Sequence, residues 1–591
     1  MSYKILNRNI TRIISNQLKR FPPIRHLSSD SEKYVLNSHY GVIKDENVTL
    51  TKHVYGEAGL WKDSPALTCA ASGRTYTYGM TKMLIEKCAK GFLSELKLSP
   101  GDSVGLILPN MPEFVVLAHG AMEAGLVVTF INPLYTHGYV SQWTSQDITF
   151  FRLWSPIDHK IHEVLRQFAD CNVKAIATIE MFMPVAMEVS KSLKDYKGTI
   201  CVGGDVDKVQ GIYGFQSLIS AGQGVELPKL DADDVCLIPY SSGTTGLPKG
   251  VMLTHRNLVC SVKQLCRPEF MKYKGAKGTG DTTLTVPPFF HIYGFNGVLN
   301  YAQAIGSHLV SIPKFTPEDY LKALMKYRPR NLFVVPSLLV FLAGHPLVNR
   351  DHLASVESIT VGGAPATESI LEKFLDKCGK TKDELVLLQG YGMTETSPVI
   401  LVTPYFYPHD KVGTIGQVVP STQVKVVSLI TGEAVGPNEL GEIYVRGQQV
   451  MKGYLKNEAA TKETIDKDGW LHTGDVVYYD KDEYFYIVDR TKELIKVKGN
   501  QVSPTEIETI IMELPEVADV AVIGISDDKD GEVPKAFVVR KPNHQLTANQ
   551  VYDIVAKKLV NYKHLKGGVE FIDEVPRNVA GKIMRKDLKV Q

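Results

Sequence analysis

The order of hydrophobic and polar positions changes character twice along the chain. From about residue 75 to 430, helical and strand periods alternate. Met83–Leu98 repeats apolar residues at helical spacing, Val104–Leu108 is a short apolar strand, Phe114–Ala124 is helical again, and Val127–Ile131 returns to a strand. Helices alternating with short apolar strands predict α/β layers around a largely parallel sheet. Near Gly413 the texture becomes β-rich: Thr422–Ser428, Gly441–Arg446 and Tyr484–Val488 are short runs separated by Gly and Asp turns. After Arg490 comes a compact mixture. Pro504–Leu514 and Ala548–Leu559 read as helices, and Ala518–Ile525, Lys535–Arg540 and Val569–Ile572 as strands. The pattern predicts a large α/β domain with layered sheets and a β-rich subdomain over 31–489, and a small, mobile α+β domain over 490–591.

Composition changes this picture only at the start. Of the 591 residues the net charge is +2, but residues 1–29 carry Lys4, Arg8, Arg12, Lys19, Arg20 and Arg25 and no acid. The remainder is slightly acidic, which argues against binding nucleic acid through bulk charge. Leu6, Ile10, Ile13, Ile14 and Leu18 fall near one helical face with arginines opposite. A basic, acid-free, amphipathic start is the composition of a mitochondrial targeting segment, expected over residues 1–30. A basic extension lying on a membrane or a disordered leader are the plainer readings. Peripheral membrane contact therefore stays open, as does a cytoplasmic or peroxisomal location, the latter without a terminal Ser-Lys-Leu. The apolar run Phe114–Ile131 is broken by His119 and Glu123, which are costly in lipid, so no membrane-spanning segment is expected. Eight cysteines lie scattered without Cys-x-x-Cys spacing, which argues against a zinc site or a disulfide framework.

One stretch fits no packing role. Ser241-Ser242-Gly243-Thr244-Thr245-Gly246-Leu247-Pro248-Lys249-Gly250 follows the apolar run Val235–Tyr240. Glycines let the backbone approach a ligand, successive N–H groups form an anion-binding concavity, and Lys249 adds a point charge. The loop suits phosphate, yet it is not a Walker A loop, because Gly250 rather than Ser or Thr follows the lysine. A solvated turn is the alternative. Tyr391-Gly392-Met393-Thr394-Glu395 follows the apolar strand Val386–Gly390, and a hydroxyl beside a carboxylate can hold a phosphate oxygen and its magnesium counter-ion. His472-Thr473-Gly474-Asp475 places a carboxylate after a tight turn, where it could accept ribose hydroxyls or bond its own backbone. The basic run from Lys492 to Lys498-Gly499 reads equally as a charged face. Gly101-Asp102-Ser103-Val104-Gly105 matches a hydrolase G-x-S-x-G, but the helix precedes the serine and the strand follows it, the reverse of a nucleophile elbow.

Taken in order, SSGTTGLPKG with VMLTHRN, GYGMTE, GYLKNEAAT, DGWLHTGD, DRTKELIKVKGNQVSPTEIE and GKIMRKDL resemble the adenylate-forming superfamily of acyl-CoA synthetases, coumarate–CoA ligases and beetle luciferases. The likeness covers roughly residues 45–588. The resemblance implies an ATP-, Mg²⁺- and coenzyme A-dependent acid–CoA ligase that makes an acyl-adenylate and then a thioester, releasing AMP. It implies that Ser241, Ser242, Gly243, Thr244, Thr245, Gly246 and Lys249 cradle the leaving pyrophosphate. Gln389, Gly390 and Tyr391 would line the nucleotide, Thr394 would bind the α-phosphate, and Glu395 would hold the metal. Asp475 and Arg490 would fix the ribose. Lys582 would bridge carboxylate and α-phosphate, and Lys496, Lys498 and Gly499 would serve the thiol step after rotation about Lys492. His291 would gate and orient the acid. Ile292, Tyr293, Gly297, Val335, Gly362, Gly363, Pro398 and Val399 would line an acyl slot whose glycines favour an aromatic or medium-to-long acid, as in fatty acid metabolism, over acetate. Thr491, Val497 and Asn500 depart from the residues frequent in this branch. A luciferase-like monooxygenase, a unit loading a carrier protein and a non-catalytic acyl-adenylate binder are the competing readings.

Overall fold

The computed structural model describes residues 33–133, 157–203, 211–241, 248–270, 281–366, 368–498, 500–527, 529–577 and 583–588. The basic N-terminal segment, Ser242–Gly246, Gly499 and Lys582 lie outside them. Four sheets of three or more strands stand among the described residues. The first is centred on Ser103–Ile107, parallel to Val127–Phe130 on one side and Val173–Ile179 on the other, and continues through Gly198–Val202 to Ile212–Gly214. Beyond Val127–Phe130 the strand Val235–Leu237 pairs with Lys249–Thr254, which also carries Tyr240–Ser241 and Gly453–Tyr454. The second sheet runs parallel from Pro65–Cys69 through His308–Ser311, Thr282–Thr285, Asn331–Val334 and Ser358–Val361 to Val386–Gly392. It turns antiparallel at Val399–Val402. Parallel strands need crossovers, and the helices supplying them are the ones the hydrophobic period marks.

Tyr78–Ser94 is started by Thr77, whose hydroxyl accepts from the Met80 amide, and it buries Tyr78, Thr81, Leu84, Ile85, Cys88, Ala89 and Phe92 on one face. Pro112–Glu123 begins with proline at its first position and is buried from Pro112 through Met122. That explains why its pattern is apolar all round and its one histidine has no solvent. Both helices join one large core with Phe289, Phe295 and the strands of the first sheet. The third sheet is antiparallel, ordered Leu36–Asn37, Thr422–Val427, Gly441–Gly447, Leu471–Tyr479, Phe485–Arg490. The fourth pairs Val517–Asp527 with Gly531–Arg540, adds Gly568–Phe571 in parallel, and closes with Ile495–Val497 and Asn500–Val502. It packs on Pro504–Ile511 and Ala548–Lys558 around its own core. The change of sheet therefore falls between Arg490 and Ile495. No helix among the described residues is long and apolar enough to cross a membrane.

Candidate active site

The phosphate-type loop is held at both ends. Tyr240–Ser241 and Lys249–Thr254 form an antiparallel ladder with Tyr240 opposite Gly250 and Ser241 opposite Lys249. A two-residue ladder thus joins the two ends of the seven-residue stretch between Ser241 and Lys249, and the helix His255–Leu265 begins directly after Lys249–Thr254 with a reciprocal Thr254–Asn257 cap. The Ser241 hydroxyl donates to Glu395 Oε1 at 2.8 Å, and the Tyr454 hydroxyl donates to the same oxygen at 2.9 Å. The Lys249 ammonium stands 4.9 Å from the centre of the Tyr454 ring. Three segments about 60 to 210 residues apart in sequence thus meet at one buried carboxylate, which is 5 % exposed.

Glu395 sits in the turn Thr394–Thr396, directly after the strand Val386–Gly392. That strand also carries Tyr391, whose hydroxyl donates to Asp475 Oδ2 at 2.7 Å. Burial and the neighbouring carboxylate push the Tyr391 hydroxyl well above its usual range, so it stays a donor. Asp475 lies opposite Arg490 in the ladder between Leu471–Tyr479 and Phe485–Arg490, and Arg490 Nε is 3.0 Å from Asp475 Oδ1. This contact is an ion pair without hydrogen-bond alignment: Oδ1 is buried and keeps its acceptor capacity. An oxygen in that state fits a sugar hydroxyl. Gln389, by contrast, spends its side chain on the Ala366 backbone, accepting from its amide at 2.9 Å. It fixes the loop after Ser358–Val361 and holds no free amide oxygen for a ligand.

The expected acyl-slot residues divide. Tyr293 opens a π-helix, Tyr293–Asn300, and its hydroxyl reaches the carbonyls of Val334 at 3.4 Å and Thr360 at 3.3 Å. Its ring lies over two glycines. A Cβ on Gly362 would stand 2.9 Å from Tyr293 Cζ, and one on Gly297 would stand 3.1 Å from Tyr293 Cδ2 and 3.5 Å from Pro398 Cγ. Tyr293, Gly297, Gly362 and Pro398 therefore form one contiguous wall. Ile292 instead points into the main core and Val399 packs with Val298 and Phe333, because residues adjacent to an inward side chain face the other way. Val335 caps the helix Pro336–Gly344 and leans on the second sheet's core, and Gly363 is exposed. His291 is half-buried, and its Nδ1 accepts from the Tyr293 amide at 3.2 Å, so Nε2 carries the proton. Burial lowers its pKa to about 4, which keeps the ring a neutral donor.

In the small domain Lys496 is exposed on the Ile495–Val497 hairpin, and Lys498 pairs with Asp530 at 3.1 Å. Two groups with roles here carried no assignment in the sequence. Tyr454 belongs to a motif, but only the Val251–Tyr454 pairing reveals that it meets Glu395. Asp489, beside the expected ribose arginine, accepts from Ser503 Oγ at 2.6 Å and the Thr505 amide at 3.1 Å, tying the third sheet to the start of Pro504–Ile511.

Among the described residues there is no cluster of three or more His, Cys, Asp or Glu side chains that could hold a metal. One hard carboxylate beside hydroxyls still fits magnesium, which commonly binds one or two carboxylates plus substrate phosphates. Comparison with known proteins agrees with this geometry. Residues 56–455 match the family model described as AMP-binding enzyme, and 506–582 the model for the AMP-binding enzyme C-terminal domain. A 4-coumarate:CoA ligase 1 of Petunia hybrida is 36% identical over 557 residues, covering 92% of this chain and 94% of its own. A probable 4-coumarate–CoA ligase 1 of Dictyostelium discoideum is 36% identical over 531 residues, covering 89% and 92%. ATP-bound MatB from Rhodopseudomonas palustris superposes with a TM-score of 0.78 at 25% identity, over 92% of this chain and 99% of that one. An o-succinylbenzoate CoA synthetase of Bacillus subtilis, in complex with its acyl-adenylate intermediate, gives 0.73 at 25% identity, over 93% and 99%. The chain belongs to the AMP-binding enzyme family, in its acyl-CoA synthetase branch.

Proposed function

We propose that the protein is an AMP-forming acid–CoA ligase acting on an aromatic or elongated carboxylic acid. The observation that carries this reading is that one segment, Tyr391–Thr396, joins the phosphate-loop strand to a buried carboxylate with an open acceptor. Glu395 meets the phosphate-loop strand through Ser241, and Tyr391 meets the buried carboxylate of Asp475. The relatives' names point the same way: those 36% identical are coumarate–CoA ligases.

A carboxylate is a poor acceptor for a thiol, and transfer to AMP gives it a good leaving group. In the first step a carboxylate oxygen of the acid bonds to the α-phosphorus of ATP, the bond from that phosphorus to the bridging oxygen breaks, and pyrophosphate leaves. In the second the CoA thiol, losing its proton, attacks the acyl carbon and AMP leaves with the acid's oxygen. Such chemistry needs positioning and charge stabilisation more than covalent help from the protein. Ser241 and Lys249 hold the base of the loop that would receive the β- and γ-phosphates. Thr394 would meet the α-phosphate, and Glu395, steadied by two hydroxyls on one oxygen, would hold Mg²⁺. Magnesium bound there supplies charge to offset the phosphates. Asp475 and Arg490 take the ribose, and neutral His291 donates to the acid's carboxylate. Lys582 would supply the charge that bridges carboxylate and α-phosphate, and rotation of the small domain about Lys492 would exchange it for the Lys496–Gly499 stretch in the thiol step.

The two glycines let the Tyr293 ring lie flat against the backbone, a Cβ on Gly362 or Gly297 standing 2.9 or 3.1 Å from it, and that flat aromatic face in the Tyr293–Gly297–Gly362–Pro398 wall supports a planar or extended acyl group. A panel of acetate, medium-chain, long-chain and aromatic acids, assayed for CoA-dependent AMP release, tests the reading. AMP release strongest with aromatic or elongated acids is expected, and equal or better turnover of acetate would contradict it.

A further inference from the structure

A line of buried polar side chains runs behind the acyl wall and has no part in the scheme above. The Thr51 hydroxyl lies 3.0 Å from His119 Nδ1, His119 Nε2 lies 2.9 Å from Asn300 Oδ1, and Asn300 Nδ2 donates to Asn296 Oδ1 at 3.0 Å. Asn296 Nδ2 then donates twice, to the carbonyl of Ser397 at 2.6 Å and that of Leu258 at 3.1 Å. His119, Asn296 and Asn300 are fully buried and Thr51 is nearly so.

The two carbonyls at the end fix the direction of the whole line. A carbonyl only accepts, so the Asn296 amide nitrogen must face them and its oxygen must face Asn300. Asn300 then donates to Asn296 and accepts from His119, whose proton is therefore on Nε2. His119 Nδ1 is left as an acceptor and Thr51 must donate. Reversing any one member puts two acceptors or two donors together in a site without water, where an unmade bond is costly. Tyr55 lies edge-on to the His119 ring at 5.2 Å between centres, and Phe295 stacks on it at 6.0 Å. The ring is thus flanked by aromatic side chains on two sides.

What this line joins is specific. Asn296, Phe295 and Asn300 all belong to the π-helix that carries Tyr293 and Gly297. Leu258 lies on the helix that follows the phosphate-loop strand, and Ser397 ends the turn bearing Thr394 and Glu395. A single side chain, Asn296, therefore sets the height of the acyl wall against both phosphate-binding segments. A π-helix has wider, less regular turns than an α-helix and needs such external fixing.

We infer that Thr51, His119, Asn300 and Asn296 are positioning residues that hold the acyl wall in register with the α-phosphate site, and so help to set which acids are activated. The inference rests on the ligase reading. Its test is acid-dependent ATP–pyrophosphate exchange by the full chain, with kcat/KM measured for one short and one bulky acid. Asn300→Leu removes the middle of the line at similar volume, and Thr51→Val removes the far donor. The ratio of kcat/KM for bulky over short acid does not depend on how much of a preparation is active. For Asn300→Leu that ratio falls about ten-fold, the effect of one buried hydrogen bond, while KM for ATP stays within about two-fold. Thr51→Val shifts the ratio the same way by roughly two- to three-fold, the low end for a hydrogen bond, and decides the matter if Asn300→Leu does not fold. A ratio unchanged in the variants, with rate lost equally for all acids, overturns the inference and leaves a purely structural line. Absence of acid-dependent exchange in the native protein overturns the ligase reading itself and the inference with it.

Discussion

Two hydroxyls on one carboxylate oxygen make a sharp test of the nucleotide site. Ser241→Ala and Tyr454→Phe each remove one donor to Glu395 Oε1, of 2.8 and 2.9 Å, and leave the surrounding shape intact. A hydrogen bond to a charged group contributes about 1.5–3 kcal/mol, so each variant is expected to lose roughly 10- to 100-fold in kcat/KM for magnesium-ATP. Phe at 454 keeps a ring beneath Lys249, so the change isolates the hydroxyl. The double variant should lose more than the sum of the singles. Glu395 is 5 % exposed, and with one donor left it stays fixed, whereas with neither it becomes a buried charge without those bonds. The assay is pyrophosphate exchange at saturating acid with ATP and Mg²⁺ varied. Losses under about two-fold, below the range for even a neutral hydrogen bond, or losses confined to the KM of the acid, would show that Glu395 is not part of the phosphate site.

Four further outcomes are expected. Gly297→Ala places a Cβ 3.1 Å from Tyr293, so kcat/KM for bulky acids should fall about 10-fold, the scale of one misfitted methyl group, with KM for ATP unchanged; equal effects on all acids would place Gly297 away from the slot. Lys582→Ala should slow adenylation by roughly 10²–10³-fold, the scale of one lost charge-stabilising donor, yet still convert supplied acyl-adenylate and CoA; equal slowing of both half-reactions in single-turnover kinetics contradicts a domain alternation. Burial lowers His53, His119, His255, His291 and His308 to about 4, so the unfolded chain binds more protons between pH 6.5 and 4. Stability should therefore fall as pH drops through that window, by up to about 1.4 kcal/mol per unit for each. Glu508, raised to about 7, and His39, raised by Glu483, oppose it, and a urea midpoint as high at pH 5 as at pH 7 would refute the balance. Residues 1–30 are proposed to direct mitochondrial import; a reporter fused to residues 1–40 that stays diffuse in the cytosol would reject this.

The sequence made the layered fold legible where pattern and burial coincide. Met83–Leu98 shows its helix because only one face of Tyr78–Ser94 is buried. The apolar run at Phe114 separates into helix and strand because His119 and Glu123 rule out lipid. The loop expected to hold phosphate stands out in the sequence because a run of Gly, Ser, Thr and Lys has no packing use. What stayed hidden depends on pairing over long separations. Nothing near Tyr454 in sequence says that Gly453–Tyr454 adds to the strand Lys249–Thr254. Likewise Ile292 and Tyr293 are neighbours of similar apolar character, and only the π-helix decides that one faces the core and the other the wall. The resemblance implied that Gln389 lines the nucleotide, but its amide oxygen is taken by the Ala366 backbone N–H. Asn296 and Asn300 gave no signal, since polar residues in a helix are ordinary until both prove to be buried.

The most direct measurement of the central claim follows an oxygen atom. An active carboxylic acid labelled with ¹⁸O in its carboxylate is turned over with ATP, Mg²⁺ and CoA, and the products are weighed by mass spectrometry. Attack of the carboxylate on the α-phosphorus predicts one labelled oxygen in each AMP, pyrophosphate without label, and one CoA thioester per AMP. Label in inorganic phosphate with ADP as the nucleotide product, or AMP without label, would contradict activation through an acyl-adenylate.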